Sequence, residues 1–469
     1  MSSPDSPEPS DQLGPAPGER AGHSPRGFIG RHKRALLWIT TFGVTLIAAL
    51  AFVLLNEPHN VSDSKIPFIA PTTTKAAKPP EPPFLWPDYG YTAARTRDFN
   101  GPSDLKPPFR VAWVRGGNAL LEFPPVIDGV KLFFMDDGAT VKEVNATTGE
   151  IGWTRHLGTL SSASPAIDTK TGLLYVPLLS RTGSSPGNGE FAALRMRNGK
   201  VAWTIPIAPG SESSPVVDGN TVYFGDQDGD VYAVNARTGE RVWHFQAGGP
   251  VKGGPAIAGN LLYVGDYSGQ VYALNLHNGH QVWVATTSGG PLGLGSGNFY
   301  STPTVAFGRV YLGNTNGYVY SYSAQTGQLA WSTGTGAYVY SSAAVANTPG
   351  LGPTVYIGSY DGYLYAFNAR SGAIRWRHYD GARISGSPTI VNDVVYYSDL
   401  GARTTSGLNA RTGQRVFFLK DGAFTPVVAD QEAIFLCGYN ALYRLDPEHR
   451  SAKKARHTSS DHHKARQKS

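Results

Sequence analysis

The 469-residue chain has one cysteine, Cys437. A lone thiol excludes an internal disulfide framework and any cysteine-rich metal centre. No His-Glu-x-x-His helix or glycine-rich phosphate loop is present, so two common kinds of enzyme lose their signature. The net charge of +6 is also less informative than it looks. Residues 1–60 sum to zero, and residues 449–469 carry seven basic side chains against one acid. The intervening 388 residues are therefore neutral, which gives no bulk case for nucleic-acid binding. The basic tail is a solvated end that could touch an anionic surface. Its His457, His462 and His463 have no evident metal-binding scaffold.

What the chain has is repetition. Residues 225–243 read GDQDGDVYAVNARTGERVW, and residues 265–283 read GDYSGQVYALNLHNGHQVW. A glycine four residues ahead of a tryptophan recurs at Trp153, Trp203, Trp243, Trp283, Trp331 and Trp376, with Phe417 in a seventh copy. Successive spacings are 50, 40, 40, 48, 45 and 41 residues. A Pro-apolar-apolar marker precedes the copies at Pro125, Pro165, Pro215, Pro255, Pro303, Pro388 and Pro426, and Ala343 holds the same place once. A period near 40 marks stacked units that cannot bury their apolar faces alone.

Each unit alternates short Val, Tyr, Phe and Trp runs with Gly-Asp turns, a strand-and-hairpin pattern. Four such strands in about 40 residues make one propeller blade. A β-sandwich would have no reason to repeat the Gly–Trp pair at one period. The tryptophans are expected to pack between blades. Eight markers meet only seven following Trp or Phe strands, while FRVAWVRG, with Trp113, stands alone at the front. The fold expected is thus all-β: an eight-bladed propeller of four-stranded antiparallel blades over 85–447, closed by residues 109–116.

Residues 35–55 form a charge-free run of 21 residues behind the basic RHKR of 31–34. As a helix it would extend about 31 Å, enough to cross a bilayer. The expectation is a single-pass plasma-membrane anchor with a disordered cytoplasmic N-terminus over 1–34 and an extracytoplasmic propeller. A cleaved signal peptide is the competing reading. The proline-rich residues 56–84 read as an extended spacer, and 448–469 as a disordered basic tail.

The sentence GxVYAxNxxTGxxxW, present here as GDVYAVNARTGERVW, GQVYALNLHNGHQVW and GYLYAFNARSGAIRW, resembles the pyrroloquinoline-quinone-like propeller repeats. The lead-in WPDYGYTAARTRDFN at 86–100 resembles the segment that often opens such propellers. The resemblance implies either a quinone-dependent dehydrogenase or a non-catalytic binding propeller. It is similar to a membrane-anchored, non-catalytic member. The dehydrogenases would imply a quinone with calcium, and the alcohol dehydrogenases among them an adjacent Cys-Cys disulfide that this chain lacks. The expectation is a scaffold for an envelope protein or small polar ligand, without catalysis or cofactor; the alternative is a membrane-tethered quinoprotein. The acidic turn of Asp226, Asp228 and Asp230 fits a hairpin better than a calcium loop.

Three residues ahead of each marker the rim reads Glu122, Ser162, Glu212, Lys252, Tyr300, Tyr340, Ser385 and Ala423. Glu122, Glu212, Lys252, Tyr300 and Tyr340 are candidate binding residues. Phe299 joins them at the end of an insert before Pro303, and Arg383 from two positions away in its blade. A plainer alternative is that Glu212 and Lys252 simply pair and the tyrosines fill the funnel.

Overall fold

A computed structural model describes residues 37–49, 58–71, 84–117, 119–181, 183, 187–287, 295–424 and 427–448. The first of these is a helix over residues 37–49, in which the Thr41 and Thr45 hydroxyls bond back to the carbonyls of Leu37 and Thr41. No helix among the described residues is long and apolar enough to cross a membrane. The expected span over 35–55 is therefore corrected, and with it the membrane anchor, the single-pass topology and the extracytoplasmic placement. Residues 1–36, 50–57 and the tail at 449–469 lie outside the described residues.

The described residues from 84 onward form eight sheets, each built on four antiparallel strands, and a small two-stranded sheet of Gly158–Leu160 with Ser180–Arg181. In chain order their strands fall within 126–156, 166–207, 216–246, 256–286, 304–334, 344–379, 389–419 and 427–447, numbered here as blades 1 to 8. Blade 3 shows why the repeat folds this way. Val216, Tyr223, Ala233 and Trp243 face one another in a single row across its four strands. The β-branched and aromatic members of that row fill one side of the pleat, and the small Ala233 leaves room for the ring beside it.

Trp243 then reaches the next blade. Its indole N–H donates to the Leu276 carbonyl at 3.1 Å, and its ring lies over Gly279, where a Cβ would stand 2.6 Å from the ring. Gly279 has φ +72°, a conformation that side chains disfavour, so this glycine is required twice over. The same indole bond recurs from Trp113, Trp153, Trp203, Trp283, Trp331 and Trp376. Phe417 has no N–H to donate; it packs on Phe109 and Tyr396 with centroids 5.8 and 5.7 Å away.

Phe109–Gly116 is the outer strand of blade 8, paired antiparallel with Ala441–Pro447. The chain start thus fastens to the chain end, and Trp113 carries the joint onward to Ala146 of blade 1. Closure of this kind leaves no gap in the ring.

Two segments before this strand are built into the propeller. Val61–Ser62 adds a fifth strand to the outer edge of blade 5, pairing with Trp331 and Ser332. Arg309 fixes the following turn by donating to the carbonyls of Ile66 and Pro67 at 2.6 and 2.7 Å. The spacer reading is therefore corrected over 58–71, because backbone pairing and a buried guanidinium hold that stretch against the ring.

Residues 84–99 enter the channel itself. Leu85–Trp86 pairs with the inner strand of blade 1, and Asp98–Phe99 runs parallel to that of blade 7. Between them, the carbonyls of Pro87, Ala93, Ala94, Thr96 and Arg97 accept from Ile167, Ile257, Val305, Val345 and Ile390. The inner strands would otherwise present unpaired N–H groups to the channel, and this plug satisfies them.

Candidate functional site

At the centre of the plug Arg95 is fully buried. It donates to the Ser214, Pro215 and Pro255 carbonyls at 2.9–3.0 Å and pairs with buried Asp88 at 2.9 Å. Arg97, also buried, lies over the Tyr89 ring at 4.3 Å and donates to the Ala343 carbonyl. The plug closes the channel from below, and Tyr89 forms part of the floor of a pocket at the opposite mouth.

The inner strands begin at this mouth, which is why residues three positions ahead of each marker gather there. Glu122, Glu212, Lys252, Tyr300, Tyr340 and Ser385 all line the same pocket. Lys252 pairs with Glu212 Oε1 at 2.9 Å, and Gln227 Nε2 donates to the same oxygen at 2.7 Å. The Tyr300 hydroxyl is 3.4 Å from Glu212 Oε2. Glu122 Oε2 accepts from the Ser162 hydroxyl at 2.5 Å. Burial, followed by the like charge of Glu212, raises the Glu122 carboxyl above the usual carboxylate range. Its neighbour Asp137 is pushed up to about 7 by burial and then by the charges of Glu122 and Asp136.

The other side of the mouth is aromatic. Tyr267, Tyr300, Tyr340 and Tyr360 form a chain of ring contacts with centroids 6.2, 5.6 and 4.8 Å apart. Tyr338 joins at Tyr340, edge to face, and is 55% exposed. Lys252 lies over Tyr267 at 5.1 Å and Arg383 over Tyr360 at 5.8 Å. Acids therefore stand at blades 1 and 3, and tyrosines at blades 4 to 6.

Phe299 does not belong to this face. It is fully buried between blades 4 and 5, packed on Gly265, Leu312 and Tyr320. The insert ends by turning an aromatic inward, which corrects the expectation that Phe299 stands on the rim; residues 288–294 lie outside the described residues. Arg383 is exposed at the outer edge of the face rather than in the pocket. Tyr267 and Tyr360 went unread in the sequence. They hold equivalent places in the turns GDYSG and GSYDG, so aligning those turns, rather than only the positions before each inner strand, would have found them.

The mouth can be tested against a planar quinone with calcium. The enclosed space is about 40 Å³, whereas small-molecule pockets run to about 300–1,000 Å³. The oxygens of Glu212 are already engaged by Lys252, Gln227 and Tyr300. Among the described residues no group of three or more His, Cys, Asp or Glu could hold a metal. The Asp226 turn is a hairpin: Asp226 Oδ1 accepts from the Asp228 and Asp230 amides at 3.0 and 2.8 Å.

The sequence matches the family described as outer membrane protein assembly factor BamB over residues 110–228, 187–341 and 315–462. The chain belongs to that family. No curated protein matches it individually. Among solved structures it is similar to BamB from Moraxella catarrhalis, at 19% identity and TM-score 0.58, covering 73% of this chain and 99% of that one. A europium-containing methanol dehydrogenase is similar at 14% identity and TM-score 0.62, covering 77% and 98%. A quinohemoprotein alcohol dehydrogenase from Pseudomonas putida is similar at 14% identity and TM-score 0.62, covering 77% and 80%. At these identities the likeness is one of fold, shared by an assembly factor and by enzymes alike. The expectation of a membrane-anchored member is not carried forward, since no helix among the described residues is long and apolar enough to cross a membrane.

Proposed function

We propose that this protein is a non-catalytic binding propeller, whose partner is another protein docked on the mouth of the channel. The observation that carries this reading is the tyrosine chain across blades 4 to 6, with Tyr338 more than half exposed. Tyrosines on a rigid ring offer large contact areas at little entropic cost, which is what interface anchors require. The plug below supports the same reading, because it leaves the mouth as a shallow face rather than a deep reaction chamber. Membership in a family described by an assembly factor agrees with a role in holding other proteins.

Two measurements test it. Titration of the purified chain with pyrroloquinoline quinone and calcium, followed by dye reduction, should show no turnover; cofactor-dependent turnover would overturn the non-catalytic reading. Tyr338→Asp should abolish co-purification of the partner while leaving melting unchanged. Retention of the partner by this variant would remove the mouth from the interface.

A further inference from the structure

The mouth pocket carries a charge that its surroundings do not cancel. Its lining holds two carboxylates, Glu122 and Glu212, and one ammonium, Lys252. Lys252 is committed to Glu212 at 2.9 Å. Glu122 is left with the Ser162 hydroxyl, a neutral donor. The charged group that Glu122 feels most is Glu212, which is of like sign. A half-buried carboxylate in this position is stabilised by any cation that reaches it.

The remaining walls suit a cation. Tyr300 and Tyr340 border the same space with centroids 5.6 Å apart. Their rings attract positive charge through the negative potential of their faces, and more strongly where water is excluded. The Tyr89 ring of the floor already carries Arg97, which leaves the two wall tyrosines for an incoming group. Size selects among cations. The space of about 40 Å³ is small, a few times the roughly 10–15 Å³ that a single water needs on the same measure. A compact ammonium fits there, and a planar guanidinium with its broad fork does not.

We propose that this pocket receives the ε-ammonium of a lysine presented by the docked partner, seated between the Glu122 carboxylate and the rings of Tyr300 and Tyr340. The proposal rests on the reading of the mouth as a protein-docking face and gives that partner a chemistry. Lys252 and Gln227 then have a stated part: by occupying Glu212 they keep the second carboxylate from competing for the incoming charge.

The test uses the full chain and two small probes, Nα-acetyl-lysine methylamide and the same compound acetylated on Nε, in ligand-observed saturation-transfer NMR. The lysine probe should bind, and the acetylated probe at least tenfold more weakly. Glu122→Gln should reduce binding of the lysine probe about tenfold, with its melting temperature recorded to show that it folds. Tyr340→Ala gives a second, charge-neutral lesion and should also weaken it. Asp393→Asn, a carboxylate change at the opposite end of the ring, should leave it unaltered. Equal binding of the two probes, no binding of either, or indifference to both Glu122→Gln and Tyr340→Ala would overturn the proposal. A partner that still crosslinks to Tyr338 after its lysines are acetylated would sink the lysine site alone. Loss of all crosslinking at Tyr338 from the unmodified partner would sink the docking reading beneath it.

Discussion

The blade joints and the channel mouth are made from the same eight units, yet they use them in opposite ways. At the joints seven tryptophans each give an indole N–H to a carbonyl of the following blade, at 2.9–3.2 Å. At the mouth equivalent positions hold glutamate, serine, lysine, tyrosine and alanine. A joint has one physical task, to bury an aromatic against the next blade, and the indole-on-glycine solution serves seven of the eight, with Phe417 packing on Phe109 at the remaining one. The mouth varies from blade to blade because each position meets a different part of whatever rests on it. In repeat proteins uniform positions therefore speak about stability and varied positions about recognition.

The largest effect should come from breaking the ring. A chain beginning at residue 119 lacks both the plug and the strand Phe109–Gly116, leaving Ala441–Pro447 unpaired. It should lose cooperative melting and aggregate, while a chain beginning at residue 58 should melt as the full protein does. Equal melting of the two would show that the ring does not need its borrowed strand.

A smaller lesion separates plug from joint. Arg95→Met leaves buried Asp88 without its partner and should cost about 3–5 kcal/mol. Trp243→Phe keeps an aromatic at the joint but loses the bond to Leu276, and should cost about 1 kcal/mol. Denaturant titration of both variants gives the order. A reversal would mean that the joints, rather than the plug, hold the channel together.

The mildest effect lies at the mouth and is read through pH. Asp137 keeps its proton up to about 7 in the folded protein, against 3.8 for a free aspartate. A group whose folded pKa is raised adds stability that is complete below the unfolded value and is lost as pH rises through the folded one. Between pH 4 and 7 its contribution should therefore decline, softened by its partial exposure to solvent. Glu122→Gln removes one of the charges responsible and should lower the Asp137 midpoint in carbon-detected NMR, while burial, the larger cause, keeps it above 3.8. An unchanged midpoint would separate the two carboxyls.

The contrast between joint and mouth also explains what the sequence could reveal. The Gly–Trp period marks six blades and Gly413 with Phe417 a seventh, because each feature is local and repeats. The positions ahead of the inner strands were legible too, and Glu122, Glu212, Lys252, Tyr300 and Tyr340 come together at one pocket. Phe299 was misplaced because a single residue step from Tyr300 turns a side chain from the mouth into the joint. The plug was opaque for a different reason. Its hydrogen bonds reach blades more than 200 residues away, as from Thr304 to the Arg95 carbonyl, and nothing periodic announces them. The apolar run at 35–55 was read from composition alone, whereas crossing a membrane requires a long apolar helix, and none is found among the described residues.

The central claim is that the mouth binds while the outer strands only close the ring. A photo-crosslinking residue placed at Tyr338, on the mouth, and another at Val242, equally exposed on the outer strand of blade 3, compare the two regions in the cells that make this protein. The account predicts one discrete adduct from position 338, absent from position 242 and lost on adding Glu122→Gln with Tyr340→Ala. The same adducts from both positions, or a discrete adduct from 242 alone, would contradict it.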